Sequence, residues 1–215
     1  MGNVQAVKSI RSKSIVFPLT CFLALFSVCA VAQAETAPRP TNWAVPVSIN
    51  EGLPNLHRVN SNLYRSAQPT KEGFVFLATQ PSLSNGDLPV KTVVSLRAFN
   101  DDAPLVPTTP GLRLEQIRIK TWHPEDEDVI KFLRIATTPA LQPVLVHCQH
   151  GADRTGTMVA IYRIAYEGWS KKQATEEMVK GGFGYHAIWK NLLRYIEKLD
   201  VIKIKEQVAK QGAWQ

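Results

Sequence analysis

Pro143-Val144-Leu145-Val146-His147-Cys148-Gln149-His150-Gly151-Ala152-Asp153-Arg154-Thr155-Gly156 is the stretch around which the chain is organised. Val144 to Val146 is a short apolar run of the kind that makes a buried parallel strand. After Gly151 the chain enters Thr155-Gly156-Thr157-Met158-Val159-Ala160-Ile161-Tyr162, which has the apolar content of a buried helix. Strand, tight loop and helix in that order aim a row of backbone N–H groups and a helix N-terminus at one spot. Such a spot binds phosphate.

A cysteine and, six residues on, an arginine sit in that loop. A cysteine is a nucleophile only as thiolate, and the loop N–H groups, the helix N-terminus and Arg154 all favour the anion. The planar fork of Arg154 matches two oxygens of a phosphoryl group. Thr155 is placed to donate its hydroxyl to the sulfur, and Gly151 permits a backbone conformation closed to other residues.

His147-Cys148-x5-Arg154-Thr155-Gly156 resembles the signature of the cysteine-dependent protein tyrosine phosphatase superfamily, dual-specificity branch included. Two further strings support the likeness. Tyr64-Arg65-Ser66-x-x-Pro69 is similar to the opening element of atypical dual-specificity phosphatases, and Lys91 to Arg97 is similar to a strand that in those proteins ends in Leu-Arg. The resemblance implies an α/β fold, a central, mostly parallel sheet of four to five strands flanked by helices. It also implies a phosphomonoester hydrolase working through a phosphocysteine intermediate, without metal or other cofactor. Rhodanese-like sulfurtransferases also place a cysteine in an anion-binding loop, but they lack the Arg-Thr-Gly continuation.

Under that resemblance Cys148 is the nucleophile. Arg154 clamps the phosphoryl oxygens together with the loop N–H groups of Gln149, His150, Gly151, Ala152 and Asp153 and with Thr155. An acid must protonate the leaving group. Trp122-His123-Pro124-Glu125-Asp126 resembles the Trp-Pro-Asp loop of the family with one insertion before the proline and a glutamate before the aspartate. Asp126 is the expected acid, with Asp128 and Glu125 behind it and Asp101 and Asp102, in an earlier loop, lower still. Acids at these positions equally suit a helix N-terminus. Asp153 either trims the positive potential of the loop or faces away to orient a neighbouring segment. His147 supports the loop through its ring, and His150 faces solvent.

Residues 1–34 carry Lys8, Arg11 and Lys13 and no acid, then an apolar run from Ile15 to Ala32 and the small-residue exit Ala32-Gln33-Ala34. This is the pattern of a secretory signal peptide cut before Glu35, with retention as a membrane anchor the alternative. Cleavage leaves 22 basic against 18 acidic residues, so the formal net charge drops from +7 to +4. It also removes Cys21 and Cys29, leaving Cys148 as a single thiol that has no partner for an internal disulfide. An exported protein, periplasmic or secreted, is expected.

The remaining 180 or so residues suffice for one α/β domain. Residues 35–55, with Pro38, Pro40 and Pro46, read as an extended leader, 56–200 as the catalytic domain and 201–215 as a polar, frayed tail. Helices are expected over roughly Lys71–Thr79 and Glu127–Ala136, from Ser170 to Lys180, and over His186–Leu199 with Ile188, Leu192, Ile196 and Leu199 on one face. The expected partner is a phosphorylated protein or a phosphoinositide. No nucleic-acid partner, no stable membrane insertion after signal cleavage and a monomeric state are expected. Two alternatives stand beside a protein phosphatase: a phosphoinositide or inositol phosphate phosphatase of the same fold, and a non-catalytic phospho-binding module, against which the intact Cys148, Arg154 and Thr155 argue.

Overall fold

The computed structural model describes residue 2 and residues 38–48, 52–79, 89–106 and 112–210. Apart from residue 2, the segment read as a signal peptide lies outside them. Six strands and six helices are found among the described residues, in the order β1 (Val45–Pro46), β2 (His57–Asn60), β3 (Leu63–Ser66), α1 (Lys71–Thr79), β4 (Thr92–Ser95), β5 (Arg113–Gln116), α2 (Asp126–Thr137), β6 (Val144–His147), α3 (Asp153–Tyr166), α4 (Lys171–Lys180), α5 (Lys190–Lys198) and α6 (Val201–Lys210).

The sheet runs β1-β2-β3-β6-β4-β5. β3, β6, β4 and β5 are mutually parallel, while β1 and β2 add an antiparallel flank. The sheet therefore has six strands where four to five were expected. The extra ones are short and carry no apolar alternation: β1 is two residues of the proline-rich leader, and β2 reads His-Arg-Val-Asn.

β6 lies in the middle, with Ser66 and Ser95 flanking His147 in register on either side. Its residues alternate between two cores, as the period of two in a strand requires. Val144 and Val146 join Leu63 and Val94 against α2, α3, α5 and α6, whereas Leu145 joins Tyr64, Val93, Phe74 and Leu77 on the α1 side. A continuous apolar triplet is the cost of burial on both faces. Because β4, β5 and β6 are parallel, the segments that leave them, including residues 96–102, 117–125 and 148–152, emerge at one edge of the sheet. Ligands of open α/β sheets bind at that edge.

The helices behind the sheet follow local rules. Acids Asp126, Glu127 and Asp128 occupy the first turn of α2, where they complement the dipole. Ser170 caps α4 in a reciprocal capping box with Gln173. Gly156 lets α3 lie close to α4: a Cβ there would stand 2.9 Å from Cγ of Met178.

The leader is extended and mostly exposed, as expected, yet from Pro38 it belongs to the compact unit, and two other expectations are corrected by packing. Arg39 donates to Gly181 O and Ala44 O at 2.6 Å each, and the Ala44 N–H donates to the buried Glu177 carboxylate at 2.6 Å. The polar tail is, from Val201 to Lys210, helix α6, whose Ile204 and Val208 are buried in the core shared with α2 and α3. Finally, Ile188 is 79 % exposed while Leu192, Ile196 and Leu199 are buried. Ala187–Trp189 is a 3₁₀ turn, and the different pitch takes Ile188 off the apolar face that begins in α5.

Candidate active site

The Cys148 loop is built by Gly151. Its φ of +70° is open to glycine at no cost, and a Cβ there would fall 2.5 Å from the carbonyl of Ser66 and 2.6 Å from the amide nitrogen of Ala67. The loop is thus pressed against the end of β3. Three successive carbonyls of the loop are held from outside: Gln149 O accepts from the Gln68 N–H at 3.2 Å, His150 O from Asn55 Nδ2 at 3.0 Å, and Gly151 O from Arg65 Nη2 at 2.7 Å. In a planar trans peptide the N–H points opposite to its C=O. Fixing these carbonyls therefore turns the N–H groups of His150, Gly151 and Ala152 to the other side, as an oxyanion cradle requires.

Arg65 is the base of this cradle. It is 1 % exposed, its guanidinium carbon lies 3.6 Å from the ring centroid of Phe183, and burial pushes its pKa down to about 10. The Tyr-Arg-Ser-x-x-Pro string quoted from the sequence thereby acquires a physical meaning, since Arg65 and Gln68 within it both grip the phosphate loop.

Cys148 is 2 % exposed and free of any disulfide. Nη1 of Arg154 donates to Leu96 O at 3.1 Å and to Ile119 O at 3.4 Å, which ties the guanidinium to the segments following β4 and β5. Its Nε is buried and, among the described residues, has no hydrogen-bond partner, so that donor is not used up within the protein. The expected bond from Thr155 to the sulfur is not formed: the Thr155 hydroxyl is fully buried in the first turn of α3 without a hydrogen-bond partner among the described residues.

His147 supports the loop from below. Its Nε2 lies 2.8 Å from Asp102 Oδ2, and Asp102 Oδ1 accepts from Gln68 Nε2 at 2.9 Å, whose own carbonyl accepts from Arg97 Nη1 at 2.6 Å. Burial pushes the Asp102 carboxyl up, but the hydrogen bond and charge of His147 and the hydrogen bond of Gln68 outweigh it, and the group ends below the ordinary carboxylate range. Asp102, ranked low as a proton donor, is a buried acceptor. Nothing local in Asn100-Asp101-Asp102 announces this.

Asp153 faces away from the loop and orients a neighbour. Its two oxygens accept from the backbone N–H of His186 at 2.9 Å and meet His186 Nδ1 at 2.8 Å. The segment Trp122–Asp128 follows β5, with Thr121 O held by Asn191 Nδ2 at 2.8 Å. Trp122 is 59 % exposed. Asp126 opens α2 and accepts from the Tyr195 hydroxyl at 2.8 Å, while burial, with the charges of Glu125 and Glu127, pushes the Asp128 carboxyl up. Arg65, Asn55, Gln68 and His186 were not singled out as site residues from sequence. Only Arg65 was named in a quoted string, and Gln68 fills one of its open positions.

Comparison with known proteins agrees with this geometry. Residues 40–191 match a family model described as DSP-PTPase phosphatase fused to NAD+ kinase. The chain belongs to the dual-specificity phosphatases of the protein tyrosine phosphatase type. The phosphatase is 36 % identical over 170 residues to dual specificity protein phosphatase TpbA of Pseudomonas aeruginosa, covering 78 % of this chain and 72 % of the relative. A crystal structure of a cysteine-to-serine variant of P. aeruginosa TpbA in complex with phosphotyrosine superposes on it with a TM-score of 0.64 at 32 % identity, over 80 % of this chain and 99 % of that one. The phosphatase is also 28 % identical over 162 residues to inositol diphosphatase DSP5 of Arabidopsis thaliana, covering 71 % and 73 % of the two chains.

Proposed function

We propose that this phosphatase is exported and removes phosphate from phosphotyrosine-bearing proteins. The phosphatase chemistry rests on the loop itself: outward-held carbonyls, a buried thiol and an arginine Nε without a hydrogen-bond partner among the described residues. Cys148 attacks phosphorus in line and the ester oxygen departs with a proton, leaving a phosphocysteine that water then hydrolyses. Arg154 and the loop N–H groups hold the equatorial oxygens as charge shifts onto the leaving group. The proton comes from the first turn of α2. Asp126 is the proposed donor; its bond to Tyr195 holds it on the α5 side. A second reading assigns the role to Asp128, because a raised carboxyl keeps its proton to higher pH.

Phosphotyrosine is favoured by the likeness to a phosphatase solved with that ligand. The inositol reading is carried by the likeness to an inositol diphosphatase. Incubation of the purified protein with a panel of phosphotyrosine, phosphoserine and phosphothreonine peptides and soluble inositol phosphates separates the two. Preference for phosphotyrosine peptides in kcat/KM supports the proposal, and preference for inositol phosphates overturns it.

Export rests on the basic start, the apolar run and the Ala32-Gln33-Ala34 exit. Among the described residues no helix is long and apolar enough to cross a membrane. N-terminal sequencing of the protein recovered from cell fractions should read from Glu35. An intact Met1 in the cytoplasmic fraction contradicts export.

A further inference from the structure

The phosphate loop carries on its rim a group of side chains that the hydrolysis does not use. His150 projects from the loop, Asp153 is the first residue of α3, and His186 follows the turn Gly181-Gly182-Phe183-Gly184. One potential ligand atom from each of the three lies within 4.8 Å of the others, and the two imidazole centroids are 5.2 Å apart.

The backbone holds these side chains in place from two directions. Gly151, Gly182 and Gly184 all have positive φ, which folds the two histidine-bearing segments back toward each other. Asn55 then joins them: its Nδ2 donates to His150 O at 3.0 Å and to Phe183 O at 2.9 Å. The His186 N–H is itself fixed on Asp153 Oδ1, which leaves Oδ2 beside the ring nitrogen Nδ1. Asp153 is buried, while His150 and His186 are exposed, so the carboxylate is a fixed point and both rings can rotate toward it.

We propose that His150, Asp153 and His186 form a binding site for a divalent transition metal, Zn²⁺ foremost. Two imidazole nitrogens and one carboxylate oxygen are the donor set that suits Zn²⁺, and exclude Ca²⁺ and Mg²⁺, which take oxygen shells. Bonds of about 2.0–2.2 Å to a tetrahedral ion bring ligand atoms to about 3.3–3.6 Å of one another. Oδ2 of Asp153 and Nδ1 of His186 are already closer than this, and the exposed His150 ring, within 4.8 Å of both, has to come nearer to complete the set. Three protein ligands leave the fourth position for water or another small ligand. His150 lies within the Cys148–Arg154 segment and Asp153 begins α3, and any effect of the metal on the affinity for an oxyanion in the loop is reciprocal.

The test is made on Cys148→Ser protein without a histidine tag and freed of metal by chelation, so that the thiol is not a ligand and phosphatase activity plays no part. Titration calorimetry with Zn²⁺ should show one ion per chain, with the dissociation constant raised at least tenfold by His186→Gln and by His150→Gln. Co²⁺ should give a visible tetrahedral absorption band that both substitutions remove. His150 is exposed, so its variant decides the question even where His186→Gln fails to fold. Absence of saturable Zn²⁺ binding, or binding that His150→Gln leaves unchanged, overturns the site.

Discussion

Nε2 of His147 and Oδ2 of Asp102, 45 residues apart in the chain, lie 2.8 Å from each other with both side chains buried directly beneath the Cys148 loop. Asp102 thus anchors the end of β6 that leads into Cys148. Asp102→Ala leaves a buried imidazole nitrogen unpaired, and a lost hydrogen bond to a charged group costs about 1.5–3 kcal/mol. Urea denaturation should show a loss of that order. kcat should fall by the same factor for good and poor leaving groups, because Asp102 positions the loop and transfers no proton. A loss that grows with leaving-group basicity would instead make Asp102 the general acid.

The same pair sets an acid limit. Asp102 titrates below the ordinary carboxylate range in the folded protein, and an unfolded aspartate titrates near pH 4 (about). The folded state therefore gains from the ionised form, fully above about pH 4, and loses that gain as pH falls through the lowered folded value. Between pH 7 and 3, Asp102→Asn should flatten this part of the decline in urea midpoint. Parallel declines in variant and wild type would show that other carboxylates carry it.

Gly151→Ala meets two penalties at once. The left-handed backbone costs an L-residue roughly 1–2 kcal/mol, and the new methyl group meets main-chain atoms of Ser66 and Ala67 that cannot swing aside. Displacement of the loop by about 1 Å can reduce the rate about 10²-fold. We expect kcat/KM to fall by that order and stability by at least about 1 kcal/mol. Unchanged kinetics would mean that the cradle tolerates a moved Gly151.

Cys148→Ser should abolish turnover of p-nitrophenyl phosphate while phosphate-ester binding survives, because the Arg154 donor and the loop N–H groups remain and the hydroxyl is a much weaker nucleophile. Rapid acid quenching of the wild-type reaction should trap labelled phosphate on Cys148. Wild-type turnover in the serine variant would refute a phosphocysteine.

The proton donor is decided by leaving groups. If Asp126 protonates the departing oxygen, Asp126→Asn should lower kcat by roughly 10²–10⁴-fold for alkyl phosphates and far less for p-nitrophenyl phosphate. Tyr195→Phe should then alter the pH–rate profile, since its hydroxyl is the partner of Asp126. Should Asp128→Asn show the leaving-group dependence and Asp126→Asn not, the raised carboxyl is the donor.

Much of the fold and the reactive pair was legible because the responsible signals are local. An apolar triplet, a glycine, and an arginine six residues after a cysteine lie within one turn of chain, and loop geometry follows from backbone sterics alone. Ser170 and Gln173 mark a helix start for the same reason. The leader and α6 were less legible. Arg39 and Ala44 reach Gly181 and Glu177, 142 and 133 residues away, and α6 buries Ile204 and Val208 and packs Val201 against the core amid lysines. A segment with so little apolar content is ordered by what it docks on.

The sequence by itself determined the Cys148–Arg154 loop, the parallel strand that carries it and the chemistry it offers, since these need only neighbouring residues. The tertiary structure alone decided what each acid does. Asp102, Asp126 and Asp153 are the same side chain in sequence. One holds His147, one accepts from Tyr195, and one grips His186, and those partners lie 45, 69 and 33 residues away. A carboxyl takes its role from the donors and the dielectric around it, and only the folded chain brings those together.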